Sequence, residues 1–121
     1  FQKKIIYTDK ISIDHVDKTI IEDLSKLEPF GKGNEEPEFI FTDVNIKSVK
    51  IIKEKHILVI LKNNLDKSIK AICFNCLNTV LGDHLLKYRE LTFEISGVLK
   101  EDKFSADFAP QIIIKDLLIL N

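Results

Sequence analysis

Apolar residues change their spacing near residue 39, and this change divides the chain into two regions. Before it, residues 4–7 and 11–13 predict two short extended segments. From Asp17 onward apolar residues recur every three or four positions, which predicts a helix capped by that aspartate. Residues 29–39 combine prolines, glycines and polar residues and predict a turn or linker. The apolar positions of the predicted helix are Ile20, Ile21, Leu24 and Leu27.

After residue 39 the apolar period is mostly two, which predicts five strands with one helix among them. The first strand is long and should bend near residues 43–45. Residues 57–61 are apolar on both faces, which indicates a central strand. Residues 63–66 predict a hairpin turn, and residues 97–110 predict a polar hairpin loop before the last strand. The strands are expected from residues 39, 57, 69, 91 and 111, and the helix over residues 77–85, where Gly82 could interrupt it.

The resulting order is strand, strand, strand, helix, strand, strand. A five-stranded Greek-key barrel with one short helix between its third and fourth strands is the OB-fold. The sequence therefore predicts a mainly β protein whose OB-fold domain covers residues 39–121. OB-folds bind oligonucleotides or oligosaccharides across their second and third strands and the flanking loops.

Composition narrows the class of protein. A chain of 121 residues suits one domain, and its 45% apolar and 31% charged content is typical of globular proteins. No apolar run approaches the ~20 residues of a membrane span, so no membrane partner is expected. Two cysteines make no disulfide framework, which favours a reducing cytoplasm. Because the chain contains no methionine, we expect a piece of a longer protein.

The charge is distributed unevenly along the chain. Residues 47–70 carry seven lysines and two acidic residues, a net charge of +5, whereas residues 1–46 carry −4 and residues 71–121 carry −2. This basic stretch covers the strands with which an OB-fold binds its ligand, so it favours a polyanionic partner over a merely solvated lysine face. The candidate nucleic-acid-binding residues are Lys53, Lys55, His56, Lys62, Lys67, Lys70 and Phe104.

Two of these candidates have alternative interpretations. Phe104 and Phe108 lie in the predicted polar loop, where Phe104 could stack on a base or one of the two rings could fill the end of the barrel. His56 could lie on the surface near the DNA or be a neutral, hydrogen-bonded ring at the barrel edge.

Other chemistry-bearing residues support no catalytic site. Cys73 and Cys76 form a C-x-x-C pair that His56 and His84 could complete as a zinc site, but a single such pair is a weak signal. A thioredoxin-like role would need a βαβ pattern, which is not seen, so we expect Cys73 in the core and Cys76 at the helix start. Residues 31–34 lack the Walker pattern, and their glycines are expected to provide a positive φ in a tight turn.

Residues 27–39, Leu-Glu-Pro-Phe-Gly-Lys-Gly-Asn-Glu-Glu-Pro-Glu-Phe, resemble the Pro-Phe-Gly-x-Gly-Asn-x-x-Pro-x-Phe signature of the RecJ family. Residues 71–75 (Ala-Ile-Cys-Phe-Asn) and 111–116 (Gln-Ile-Ile-Ile-Lys-Asp) resemble two of its strands. RecJ proteins often carry Asn-x-Trp-x-Gly in the last hairpin. Here the corresponding residues are Asp102, Phe104 and Ala106, so a stacking role would pass to Phe104.

The resemblance implies a C-terminal fragment of a single-strand-specific 5′→3′ DNA exonuclease of DNA repair and recombination. Residues 1–38 would then be a strand-helix tail of a DHH-associated domain with its linker. The Mn²⁺ or Mg²⁺ of the family belongs to a catalytic domain upstream, so this fragment should hold no cofactor and should not cut DNA by itself. The implied partners are single-stranded DNA and the catalytic domains of the same parent chain, with the protein a cytoplasmic monomer.

An alternative function belongs to a different class. The barrel could be an interdomain clamp or a protein-docking surface that makes no direct nucleic-acid contact, with its lysines serving only solubility.

Overall fold

A computed structural model describes residues 8–121, which form six strands, two short α-helices and one 3-10 turn. The elements in chain order are β1 (Thr8–Lys10), the 3-10 turn (Ile13–His15), α1 (Lys18–Ser25), β2 (Glu38–Ile52), β3 (His56–Lys62), β4 (Ser68–Cys73), α2 (Val80–Leu86), β5 (Phe93–Glu101) and β6 (Pro110–Ile119).

Five of the strands close into a barrel. Their order is β2-β3-β4-β6-β5, and β5 pairs again with β2. The β4–β6 pair is parallel, whereas β2–β3, β3–β4, β5–β6 and β2–β5 are antiparallel. This topology, with α2 between the third and fourth barrel strands, is the OB-fold, and it confirms the predicted fold class.

Strand β2 closes the barrel because it bends. Its first half pairs with β5 from Phe39 to Val44, and its second half pairs with β3 from Asn45 to Ile52. The register shifts between Phe41 and Val44, where Asp43 has a positive φ of 56°. A bulge of this kind bends a strand and increases its twist. The bend predicted near residues 43–45 is therefore confirmed.

The structure corrects three predicted boundaries. Residues 8–10, expected as the turn between two extended segments, form β1, which pairs in parallel with β2. The predicted loop 97–110 is shorter, because β5 continues to Glu101 and pairs there with the start of β6. Helix α2 begins at Val80 rather than residue 77 and continues through Gly82 without interruption. The extended segment predicted at residues 4–7 lies outside the described residues.

Gly97 lies in the middle of β5, at the residue where the sequence predicts that a loop begins. A Cβ at this position would overlap the carbonyl oxygen of Ile113 on β6. Only glycine lets the two backbones approach so closely, and the β5–β6 register shifts between Ser96 and Gly97. Gly97 therefore marks an irregularity inside β5 and not the end of the strand.

The barrel interior follows the period-two pattern. Alternate residues of β3 and β4 are buried, from Ile57 to Leu61 and from Ile69 to Cys73. The two ends of the barrel are covered by different segments. Ile13 and Val16 of the N-terminal segment join the core at one end, and Leu85 of α2 is fully buried at the other.

Helix α1 and the following turn are stabilised by local hydrogen bonds. The Asp17 side chain accepts from the amide of Ile20, as predicted for a helix cap. The Asn34 side chain donates to the carbonyl oxygens of Leu27 and Pro29, at 2.7 and 2.8 Å. Gly33 has φ +83°, which confirms the predicted positive φ at this glycine, whereas the same prediction for Gly31 is wrong.

The division of the chain at residue 38 into a tail and an OB-fold domain stays a prediction. Residues 8–10 hydrogen-bond to β2, and Ile11 donates its amide to the carbonyl of Ile40 at 2.9 Å.

Among residues 8–121 there is no helix of the length and apolar character that a membrane span requires.

Candidate nucleic-acid interface

The outward face of β3 and β4 carries an apolar strip. Leu58, Ile72 and Ile113 are cross-strand neighbours on β3, β4 and β6, and all three are half-buried although they point away from the core. Ile60 extends the strip along β3. Apolar side chains at this position provide a flat, partly dehydrated surface of the kind that the faces of bases or another protein can cover.

Four of the candidate lysines lie at the two ends of this strip, and the exposed Lys50 of β2 lies beside Leu58. Lys53 and Lys55 are exposed in the turn between β2 and β3, at one end of the barrel wall. Lys62 ends β3, and Lys67 is exposed in the following loop, at the opposite end. The seven residues of β3 separate the two groups by about 20 Å. Four of the seven lysines of the predicted basic stretch therefore form two clusters, one at each end of this apolar surface.

Lys70 differs from the other candidate lysines because its charge already has a partner. Its ammonium group forms an ion pair with the Asp102 carboxylate. The Asp102 side chain is 4% exposed and the Lys70 side chain 33%, so the pair is partly shielded from water. Lys70 is therefore linked to the β5–β6 loop through Asp102, and its predicted contact with DNA stays a prediction.

The β5–β6 loop, residues 102–109, presents Phe104 to solvent on a fixed backbone. Asp102 accepts a hydrogen bond from the amide of Phe104 at 3.0 Å, and its own amide donates to the carbonyl of Ala109 at 2.8 Å. Ser105 links the two sides of the loop, since its hydroxyl donates to the Asp102 carbonyl and accepts from the Ala109 amide. The Phe104 residue is 100% exposed.

The alternative that Phe104 or Phe108 fills the barrel end is wrong. Phe108 is 50% exposed and Phe104 fully exposed, so neither enters the core. Ile13 and Val16 lie at this end instead, lining a cavity of about 440 Å³ together with Lys70 and Asp102. The loop and the N-terminal segment therefore meet beside Lys70.

At the other end of the strip, His56 is held by the chain that follows β4. Its Nδ1 accepts a hydrogen bond from the Asn75 amide at 2.9 Å. The ring meets Phe74 edge to face, with centroids 5.2 Å apart and an interplanar angle of 82°. His56 is thus the hydrogen-bonded ring at the barrel edge, beside an exposed aromatic residue.

Phe74 was missed as a site residue by sequence analysis. It is 51% exposed and follows Cys73, the last inward residue of β4. The alternation of inward Ile69, Ala71 and Cys73 already indicates that residue 74 points outward. The sequence therefore contains a signal for an exposed aromatic residue at this position.

The cysteine pair has the burial of core residues. Both thiols are free and buried, and the Cys76 thiol donates to the Cys73 carbonyl oxygen at 3.2 Å. Burial raises the pKa of the Cys73 thiol, and the adjacent Cys76 raises it further. A raised thiol pKa lowers the fraction of reactive thiolate. Cys76 precedes α2 and is not its first residue.

Residues 8–121 contain no group of three or more His, Cys, Asp and Glu side chains that could hold a metal ion. The side chains described here therefore do not fit the Mn²⁺ or Mg²⁺ that the family resemblance implies for a catalytic domain, nor the zinc site considered for Cys73 and Cys76. No chemical step through a metal follows from this part of the chain.

Comparisons with known proteins support the fold from two directions. The family model of the RecJ OB domain matches residues 8–116. Among solved structures, a chain in the crystal structure of the S. pombe Stn1-Ten1 complex superposes with a TM-score of 0.54 at 7% identity. The superposition covers 69% of this chain and 57% of that one, so the chain spans little more than half of its structural neighbour. At such low identity the likeness shows the fold alone. No curated protein matches the sequence.

Proposed function

The chain belongs to the family of RecJ OB domains, and from this premise we propose that the β3–β4 face binds single-stranded DNA for a parent exonuclease. The observation that carries the proposal is an apolar strip with exposed lysines at both ends, next to a loop that carries the fully exposed Phe104. Binding of single strands without sequence preference uses a positively charged surface for the backbone and aromatic side chains for the bases.

In this mechanism the lysine clusters contact phosphates and Phe104 stacks on a base. Lys53 and Lys55 act at one end of β3, and Lys62 and Lys67 at the other. Lys70 contributes indirectly, because its pairing with Asp102 fixes the loop that presents Phe104. The module holds a strand whose hydrolysis takes place in the catalytic domains of the parent chain, in the cytoplasm and during DNA repair and recombination.

The test is a titration with a labelled single-stranded oligonucleotide at two salt concentrations. Each lysine that neutralises a phosphate should contribute roughly −0.7 to the slope of log K against log salt. Replacing the exposed Lys53, Lys55 and Lys67 with alanine should therefore flatten the slope by about two. It should also weaken all single-stranded sequences alike.

A matched control is available on the opposite side of the barrel. Lys18, Lys26 and Lys32 are also exposed and lie on α1 or in the segment after it, and α1 packs on β5; Lys26 pairs with Asp23 at 3.8 Å. Replacing these three lysines changes the net charge by the same amount and should leave the slope almost unchanged. Equal losses of affinity in the two triple variants would contradict the proposal, because only total charge would then matter.

A second candidate function is a docking surface for another domain of the parent chain. The half-buried outward residues Leu58, Ile60 and Ile72 favour it, because contiguous apolar surface outside a core is typical of protein interfaces. Under this alternative Leu58→Ser would weaken association with the upstream domains supplied as a separate chain, at any salt concentration. The Lys53, Lys55 and Lys67 variant would leave that association intact.

A further inference from the structure

Phe74 marks a surface at the far end of the apolar strip from Phe104. Asp102 pairs with Lys70, and β6 begins beside the same residue, so the β5–β6 loop lies near the start of β4. Phe74 follows directly after the end of β4. From residue 68 to residue 74 the extended chain covers about 20 Å. Phe74 and the loop that carries Phe104 therefore lie at opposite ends of β4.

The chain around Phe74 is held as firmly as the Phe104 loop. The Asn75 amide donates to His56, and the Leu77 amide donates to the carbonyl of Lys55 at 3.2 Å. Asn75 itself has a positive φ of 55°, which an asparagine tolerates well. These contacts fix the turn to β3 and to the β2–β3 turn. Phe74 is consequently a pre-positioned ring and not part of a loose loop.

The surroundings of Phe74 suit a nucleotide. The ring borders a cleft of about 320 Å³ that is also lined by Asn75, Thr79, Ile113 and Lys115. This volume lies at the lower end of the range for small-ligand sites, about 300–1,000 Å³. Lys115 lines the cleft and is exposed, and the exposed Lys55 precedes His56, whose ring contacts Phe74.

We propose that Phe74 forms a second nucleotide subsite, in which one base packs against the ring while Lys55 and Lys115 contact the adjoining phosphates. The proposal rests on the proposed function and adds to it the length of single-stranded DNA that the surface binds. A stacked strand rises about 3.4 Å per nucleotide, so a strand reaching from Phe104 to Phe74 needs about six nucleotides. Shorter oligonucleotides engage only one of the two rings.

The chain contains no tryptophan, which allows a site-specific fluorescence test. Phe74→Trp and Phe104→Trp each introduce a single indole. Oligothymidylate of about ten nucleotides should quench both emissions over the same concentration range, because one strand covers both rings. Leu118→Trp is the control, since Leu118 is 60% exposed on β6 but pairs with Glu94 of β5, away from the face. Its emission should not change.

Affinity provides the second readout. Phe74→Leu keeps an apolar side chain but removes the ring, and it should weaken binding of the ten-nucleotide strand roughly 5- to 150-fold, the usual contribution of one stacked base. The salt slope should stay the same. In the unmodified chain, lengthening the oligonucleotide from about three to about ten nucleotides should raise its affinity, because both rings are then engaged. In Phe74→Leu most of this increase should be lost.

The outcomes separate the two proposals. Quenching of Phe104→Trp without quenching of Phe74→Trp overturns the second subsite and leaves the proposed function standing. Failure of the unmodified chain to bind any of the oligonucleotides overturns both. Far-UV circular dichroism shows whether Phe74→Leu folds. If it does not fold, the fluorescence of Phe74→Trp still tests the proposal, because tryptophan keeps an aromatic ring at this position.

Discussion

The two ends of the barrel are closed by segments that both bury apolar side chains but differ in their secondary structure and in the contacts that hold them. At the β5–β6 loop end, Ile13 and Val16 come from a chain segment with little regular structure, and polar contacts hold it in place. The Asn63 side chain, for example, donates to the Asp14 carboxylate at 3.0 Å. At the other end, α2 seats Leu85 in the core and packs its backbone against the residues after β4.

This difference teaches which residue properties each end depends on. Where a helix packs closely on backbone, added volume is costly and charge matters little. Where an irregular segment meets a loop, the charges and hydrogen bonds determine whether the parts stay together. Removal of the apolar anchor should therefore lower the free energy of unfolding at both ends. Added volume should matter most at the α2 end, and loss of a charge or hydrogen bond should matter most at the β5–β6 loop end.

The largest expected effect is the removal of either anchor. Ile13→Ala and Leu85→Ala each leave a cavity at a fully or almost fully buried position, and each should lower the free energy of unfolding by about 3 kcal/mol. Urea unfolding followed by circular dichroism measures both losses. If Leu85→Ala is costly and Ile13→Ala is nearly neutral, residues 8–16 are dispensable for the barrel and belong with a neighbouring domain.

A smaller loss is expected when volume is added under α2. A Cβ at Gly82 would overlap the carbonyl oxygen of Cys76 and approach the Ile57 side chain, so Gly82→Ala should cost about 2–3 kcal/mol. Ordinarily this exchange stabilises a helix, which makes the sign informative. Gly31→Ala is the matched control, because within residues 8–121 no heavy atom apart from those of Gly31 and its two chain neighbours lies within 4 Å of its Cβ position. Equal thermal midpoints for the two variants would contradict close packing at this end.

The smallest effect tests the polar end. Asp102→Ala leaves Lys70 without its partner and the Phe104 amide unpaired, and it should cost about 2 kcal/mol. The loss stays below that of a fully buried ion pair because Lys70 is one-third exposed and water can solvate it. Asp107→Ala on the same loop is the control, since Asp107 is exposed and its side chain contacts only Ser105 at 3.4 Å among the described hydrogen bonds.

The outcome of the Asp102 experiment also bears on the binding surface. Loosening the β5–β6 loop should weaken binding of single-stranded DNA even though Asp102 carries a negative charge. If Asp102→Ala binds more tightly than the unmodified chain, release of the Lys70 charge matters more than the fixed position of Phe104, and the role assigned to this ion pair is wrong.

Much of the barrel could be predicted from the sequence because its information is local. The period of two fixes which side chains of β3 and β4 face inward, and a helical period preceded by Asp17 locates α1. The exposure of Phe104 also agrees with its position among polar residues. These features depend on neighbours within a few positions, and the order of strands and helix then restricts the topology to few choices.

Tertiary structure decided the features that join residues distant in the chain. Asp102 lies 32 residues after Lys70, and nothing in the charge count indicated that this lysine is neutralised. Ile13 reaches the core only because β1 pairs with a strand that starts at Glu38. The loop that carries Phe104 lies at the start of β4, and Phe74 follows its end, because β4 and β6 run parallel. Such pairings depend on how the sheet closes, and closure is a property of the whole barrel that no local pattern encodes.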